Sequence, residues 1–111
     1  NFIFSEEIKN IDGLNILKSP EYSKNNYWLN VLEINQEKYG ENPLELMKRL
    51  SDEGIQTRPV WKLNHLQVPY KNFFTFKIEN APKLINKSLC IPSSSNLTED
   101  EVSYIISKIK K

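Results

Sequence analysis

The aromatic and branched run from Tyr27 to Ile34 (Y-W-L-N-V-L-E-I) carries apolar side chains at positions of both parities. A strand with one wet face would alternate, so this run predicts an inner strand. Gln36 to Gly40 interrupts it. Asn42-Pro43-Leu44-Glu45 then supplies a capping side chain, a proline at the first helical position and a carboxylate three residues after the cap. The spacing predicts a helix from Pro43 to Glu53. Leu44, Met47 and Leu50 line its inner face, Leu46 broadens that face, and Gly54 stands where a left-handed cap belongs.

Shorter patterns fill the rest. Phe4, Ile8 and Ile11 recur at near-helical spacing within Phe2 to Ile11, which predicts the tail of a helix stopping near Asp12-Gly13. Leu14 to Leu17 suits a short strand, and Lys18 to Asn26, with Ser19-Pro20 and Asn25-Asn26, has loop chemistry. Ile55 to Val60 reads as a short strand at an edge or a strand end, because Pro59 has no N–H to give to a ladder. Trp61 to Phe76 is mixed, with a helical turn near Leu63 to Leu66 and then a loop through Pro69-Tyr70. Asn80 to Lys87 predicts a short helix with Pro82 in its first turn. Leu89-Cys90-Ile91 reads as a short buried strand, and Ser93 to Asn96 as a loop. The final helix is announced by a capping box, Thr98-Glu99-Asp100-Glu101, and by Leu97 and Val102 at the positions of a hydrophobic staple. Val102, Ile105, Ile106 and Ile109 form its buried stripe, and the charges at its two ends oppose the helix dipole. Strand, helix, strand, strand, helix in this order gives an α/β layer, with helices covering a sheet of three or four strands.

Size and charge narrow the function. The 111 residues suffice for one core and are too few for two. Fifteen basic against fourteen acidic side chains leave +1, a field too weak to draw the chain onto nucleic acid or an anionic membrane surface. No apolar run approaches the roughly 20 residues of a membrane span. Cys90 is the lone cysteine, so no internal disulfide framework exists, and a reducing, cytoplasmic setting is favoured. The opening Asn1-Phe2-Ile3-Phe4 has no initiator Met and starts inside an amphipathic segment, as expected of a piece of a longer chain.

Most catalytic signatures are missing. There is no glycine-rich phosphate loop, no serine elbow and no metal-ligand spacing, and the glycines are only Gly13, Gly40 and Gly54. Cys90, in an apolar strand, reads as inert. The lysines, Lys24 and Lys62 among them, show no context that would make an amine nucleophilic. One segment stands out: Thr57 to Tyr70 (T-R-P-V-W-K-L-N-H-L-Q-V-P-Y) gathers Arg58, Trp61 and the sole histidine, His65, where a strand end leads into a loop. Arg58 offers a planar fork for an anion, Trp61 a face for a sugar or base, and His65 a group that exchanges protons near neutral pH. A purely structural reading of the same residues has Trp61 anchoring the loop in the core, Arg58 solvated and His65 satisfied at the surface.

The strand Y-W-L-N-V-L-E-I, the helix N-P-L-E-L-M-K-R-L, then D-E-G-I-Q-T-R-P-V-W-K-L-N-H-L-Q and L-C-I-P-S-S-S-N-L-T-E-D-E-V together resemble the C-terminal domain of the DegT/DnrJ/EryC1/StrS family. These are pyridoxal-phosphate-dependent sugar aminotransferases. The R-P-x-W-K-x-x-H version is most similar to the branch acting on nucleotide-linked 4-keto sugars in bacterial surface-glycan and nonulosonic (legionaminic-type) acid pathways. Close relatives often have a proline after W-K, where this chain has Leu63.

The resemblance implies the small α+β domain of a fold-type I aminotransferase, with helices on a mostly antiparallel or mixed sheet of three to four strands. Residues 1–13 would end the interdomain helix and 14–111 would form the domain. It further implies a homodimer whose large domain, upstream in the same chain, holds pyridoxal phosphate on a lysine. No motif for that lysine is present, so the 111 residues alone are expected neither to hold the cofactor covalently nor to transaminate. His65, Arg58 and Trp61 would face a nucleotide-sugar substrate, with Tyr70, in the P-Y pair, as a further candidate. Glutamate is the expected amino donor, and exposed apolar surface is expected where the large domain docks. The competing expectation is an autonomous α/β module that binds a partner through an exposed sheet edge.

Overall fold

A computed structural model describes residues 2–111 of the chain. Four strands form one antiparallel sheet: β1 (Leu14–Ile16), β2 (Asn30–Ile34), β3 (Arg58–Pro59) and β4 (Ser88–Ile91), in the order β1-β2-β4-β3. Five α-helices accompany them: α1 (Phe2–Ile8), α2 (Gln36–Tyr39), α3 (Pro43–Asp52), α4 (Asn80–Asn86) and α5 (Glu99–Ile109). Two 3₁₀ turns, Asn64–Leu66 and Val68–Tyr70, lie between β3 and α4. The sheet is antiparallel throughout and has four strands, the upper of the two expected counts.

Directly opposed residues of an antiparallel pair share a face of the sheet. Leu32 lies opposite Leu89, and Leu14 opposite Ile34. This face meets Ile8 of α1, Leu46 and Leu50 of α3, and Val102, Ile105, Ile106 and Ile109 of α5 in a single buried cluster. The other face carries the row Val31, Cys90, Arg58. Cys90 is therefore buried outside the helix-covered core, and burial pushes its thiol pKa up, away from thiolate chemistry.

Both long helices begin as their sequences predict. Asn42 accepts from the backbone N–H groups of Leu44 and Glu45 while the Glu45 carboxylate accepts from Asn42 N–H, and Thr98 and Glu101 repeat the arrangement on α5. Leu97 packs beside the core at the entry to α5. After α3, Gly54 takes φ +74°, the left-handed conformation that glycine adopts at least cost.

Five expectations are corrected. The inner strand starts at Asn30, not Tyr27, because Asn25 and Asn26 accept from the N–H groups of Tyr27 and Trp28 and Tyr27 turns to φ +55°. That turn removes Tyr27 and Trp28 from the ladder. Gln36 to Gly40 is a single helical turn, capped by Asn35 and by left-handed Gly40, and not a simple break. The Ile55 to Val60 strand shrinks to Arg58–Pro59 at the sheet edge. On α3, Leu46 is fully buried and Leu44 is exposed, so the inner face is rotated from the one expected. Finally, α1 ends at Ile8, and Ile11 packs against the core from the turn that follows.

The end of α5 is clasped. Tyr39 Oη donates to the Ile109 carbonyl at 2.7 Å, and Arg49 donates to the Lys108 carbonyl and to Tyr39 Oη. The same guanidinium grips both Glu41 carboxylate oxygens at 2.8 Å. Carbonyls that a helix C-terminus leaves without partners are thus satisfied by α2 and α3. The Arg49 hydrogen bonds hold the Glu41 carboxyl below its ordinary range, whereas burial pushes the Tyr39 phenol up.

Candidate functional site

The segment singled out by its chemistry leaves the sheet at its edge. β3 presents Arg58 beside Cys90, and Pro59, which cannot donate, ends the ladder after two residues. The chain then turns through two successive 3₁₀ turns. Leu66 N–H donates to the Leu63 carbonyl, and Tyr70 N–H to the Gln67 carbonyl. Gln67 closes the first turn on itself, its amide donating to the Lys62 carbonyl at 3.1 Å and to Asn64 Oδ1 at 3.3 Å.

These turns bring His65 and Tyr70 to one open groove of about 650 Å³, shared with Lys62, Phe73, Phe74 and Phe76. His65 is half-buried, and Tyr70 is exposed and leans on Phe73 with ring centroids 6.4 Å apart. Arg58 is not in this groove. It lines a second one of about 680 Å³, together with Leu29, Cys90, Ser93, Ser94 and Tyr104. Trp61 lines neither and does not anchor the loop in the core. It is 68% exposed and packs edge-on against Trp28, centroids 5.4 Å apart and rings at 70°.

Such a surface can stack a flat or sugar-like group on aromatic rings and place an imidazole and a phenol beside it. Among the described residues no cluster of His, Cys, Asp and Glu could hold a metal ion, and no helix is long and apolar enough to cross a membrane.

A profile of the DegT/DnrJ/EryC1/StrS aminotransferase family matches residues 2–110. The chain belongs to that family. Over 109 residues it is 30% identical to a Bacillus subtilis (strain 168) protein named "Putative pyridoxal phosphate-dependent aminotransferase EpsN", covering 93% of this chain and 27% of the relative. The sugar aminotransferase CalS13 from Micromonospora echinospora superposes with a TM-score of 0.80 at 23% identity, over 98% of this chain and 28% of that one. DesI, solved in the presence of its TDP-sugar product, gives 0.83 at 18% identity, over 96% and 28%. The chain therefore spans between a quarter and a third of the length of each of these relatives.

Members of the DegT/DnrJ/EryC1/StrS family depend on pyridoxal phosphate, and the residues present do not fit that group. A lysine that forms an imine at neutral pH is desolvated or faces another cation. Here the lysines are exposed, except half-buried Lys108, whose ammonium pairs with Glu53 at 2.8 Å.

Two features of the site escape the sequence. Phe73, Phe74 and Phe76 crowd three rings into four positions, a cluster with neither helical nor strand periodicity. Trp28 is hidden in the opposite way, since Y-W at the head of an apolar run looks like strand.

Proposed function

We propose that this chain is the C-terminal small domain of a pyridoxal-phosphate-dependent aminotransferase acting on a nucleotide-linked 4-keto sugar, and that it supplies the substrate-side wall of the active site. The reading is carried by one observation: a family match spanning nearly the whole chain coincides with the groove that unites His65 and Tyr70. The TDP-sugar product named with DesI supports the substrate class. In this reading His65 contacts the sugar or diphosphate, Tyr70 flanks it, Arg58 receives an anion from the adjacent groove, and Trp61 fixes the loop.

Residues 1–13 then end an interdomain helix, and the cofactor lysine lies in a large domain of the same polypeptide, so the 111 residues alone are inactive. The exposed rings of the 61–78 segment support a partner on this side of the domain, since Val68, Phe73, Phe74 and Phe76 are each more than two-thirds exposed. That partner is the large domain of a homodimeric cytoplasmic enzyme, with glutamate as donor and surface-glycan or legionaminic-type acid synthesis as the setting. The sheet edges do not favour an autonomous edge-binding module, because β1 has three residues and β3 has two, one of them Pro59.

The decisive measurement separates the two half-reactions of the full-length enzyme. His65→Ala is expected to slow amine delivery to the keto sugar about tenfold more than amine uptake from glutamate, the loss of one substrate hydrogen bond. Equal effects on both half-reactions, or none on either, remove His65 from the site.

A further inference from the structure

Trp28 is presented with a precision that its burial does not explain. Asn25 Oδ1 accepts from Tyr27 N–H at 2.9 Å and Asn26 Oδ1 from Trp28 N–H at 3.1 Å, while Tyr27 occupies φ +55° without being glycine. Such a conformation is uncommon for a bulky residue and persists where the surroundings fix it. From the other side, Ser93 Oγ donates to the Trp28 carbonyl at 2.6 Å. Two stretches distant in sequence, N-N-Y-W and I-P-S-S, therefore converge on the backbone of one residue. The indole they hold is nonetheless 62% exposed, so core packing is not what the arrangement serves.

What the indole does touch is Trp61, at the root of the loop that carries His65. That loop has little else to stand on, because no residue from Gln56 to Lys87 is buried. The Gln67 clasp fixes the shape of the first turn but ties it only to Lys62 and Asn64, within the same loop. The Trp28–Trp61 contact is a side-chain link from that loop to the segment that leads into β2.

We propose that Trp28 is a positioning residue that sets the root of the 61–70 loop and, through it, where His65 stands against the sugar nucleotide. The proposal rests on the substrate-side role assigned above. An edge-to-face ring pair of this kind corresponds to about a two- to tenfold effect on an equilibrium.

The test uses the full-length enzyme with four proteins: wild type, Trp28→Ala, His65→Ala and the double variant. Trp28→Ala is expected to lower kcat/KM for the sugar half-reaction about fivefold and to leave the glutamate half-reaction unchanged, and Trp28→Phe, which keeps a ring against Trp61, recovers most of the loss. In the His65→Ala background Trp28→Ala should cost little, because the group it positions is gone. Losses that multiply in the double variant, or a Trp28→Ala enzyme with normal sugar turnover while His65→Ala is impaired, overturn the positioning role. A normal His65→Ala enzyme instead overturns the underlying site reading. Backbone amide spectra of the 111-residue chain then decide the remaining structural half: Trp28→Ala must displace the resonances of residues 62–67, and unchanged resonances sink it.

Discussion

The helix-covered side of the sheet and the stretch from Gln56 to Lys87 obey opposite rules. On the first, the sheet face, Phe4 and Ile8 of α1, Leu46 and Leu50 of α3 and the stripe of α5 disappear into one cluster, and the long helices are capped by their own side chains. In the second no residue is fully buried, and Trp61, Leu66, Val68, Phe73, Phe74 and Phe76 face outward. Apolar surface contributes to stability only when water is removed from it. Stability therefore rests on the first region and little on the second, and substitutions should divide along the same line.

The largest effect belongs to the buried side. Leu50 is fully buried at the junction of α3 with the cluster, so Leu50→Ala should lower the unfolding free energy by about 2–5 kcal/mol, read from urea denaturation of the 111-residue chain. A change below about 1 kcal/mol would mean that the site collapses around the cavity and the core is less tightly packed than described.

A smaller, pH-dependent effect sits at the clasp. Arg49 holds the Glu41 carboxyl below its ordinary 4.5, so the folded state binds that proton less readily than the unfolded state. The resulting stabilisation is complete above 4.5 and is lost as pH falls through the lower folded value. Glu41→Gln should cost about 1 kcal/mol at pH 7, and the gap to wild type should close on acidification. A gap that stays constant down to pH 3 contradicts the pairing. Wild type also loses stability in acid through Glu33, which Lys87 holds low, so the comparison with Glu41→Gln is the informative quantity.

The smallest effect should come from the loop. Phe74 is 89% exposed, and Phe74→Ser should change the stability of the isolated chain by less than about 0.5 kcal/mol. A loss comparable to that of Leu50→Ala would erase the distinction between the two regions.

The same division governs how much the sequence discloses. Elements whose stability is local are legible: the capping boxes at Asn42 and Thr98, the stripe on α5 and the turn at Gly54 all appear where the residues predict them. Where side chains compete with the backbone, periodicity misleads. The Tyr27 to Leu29 stretch has strand composition, but Asn25 and Asn26 take the N–H groups of Tyr27 and Trp28. Leu44 has the right spacing for the core and yet faces solvent, because Leu46 and Leu50 set the rotation of α3. Arg58, Trp61 and His65 stand out by residue type and clustering, and Tyr70 only through the family resemblance. Their division between two grooves depends on two 3₁₀ turns and a tryptophan contact that no local pattern encodes.

The strand order β1-β2-β4-β3 has a consequence for how the chain is made. β2 leaves the ribosome well before its inner partner, Ser88–Ile91, which follows only after the whole 56–87 stretch has been synthesised. Between those two strands the nascent chain carries unpaired backbone and the exposed aromatic rings, a window in which a holding chaperone has something to grip. Once β4 docks, the intervening segment is a closed loop, and doubling the length of such a loop adds only about 0.6 kcal/mol to the entropy of closure. The stretch that carries the exposed rings is thus the part whose length can drift at least expense to folding.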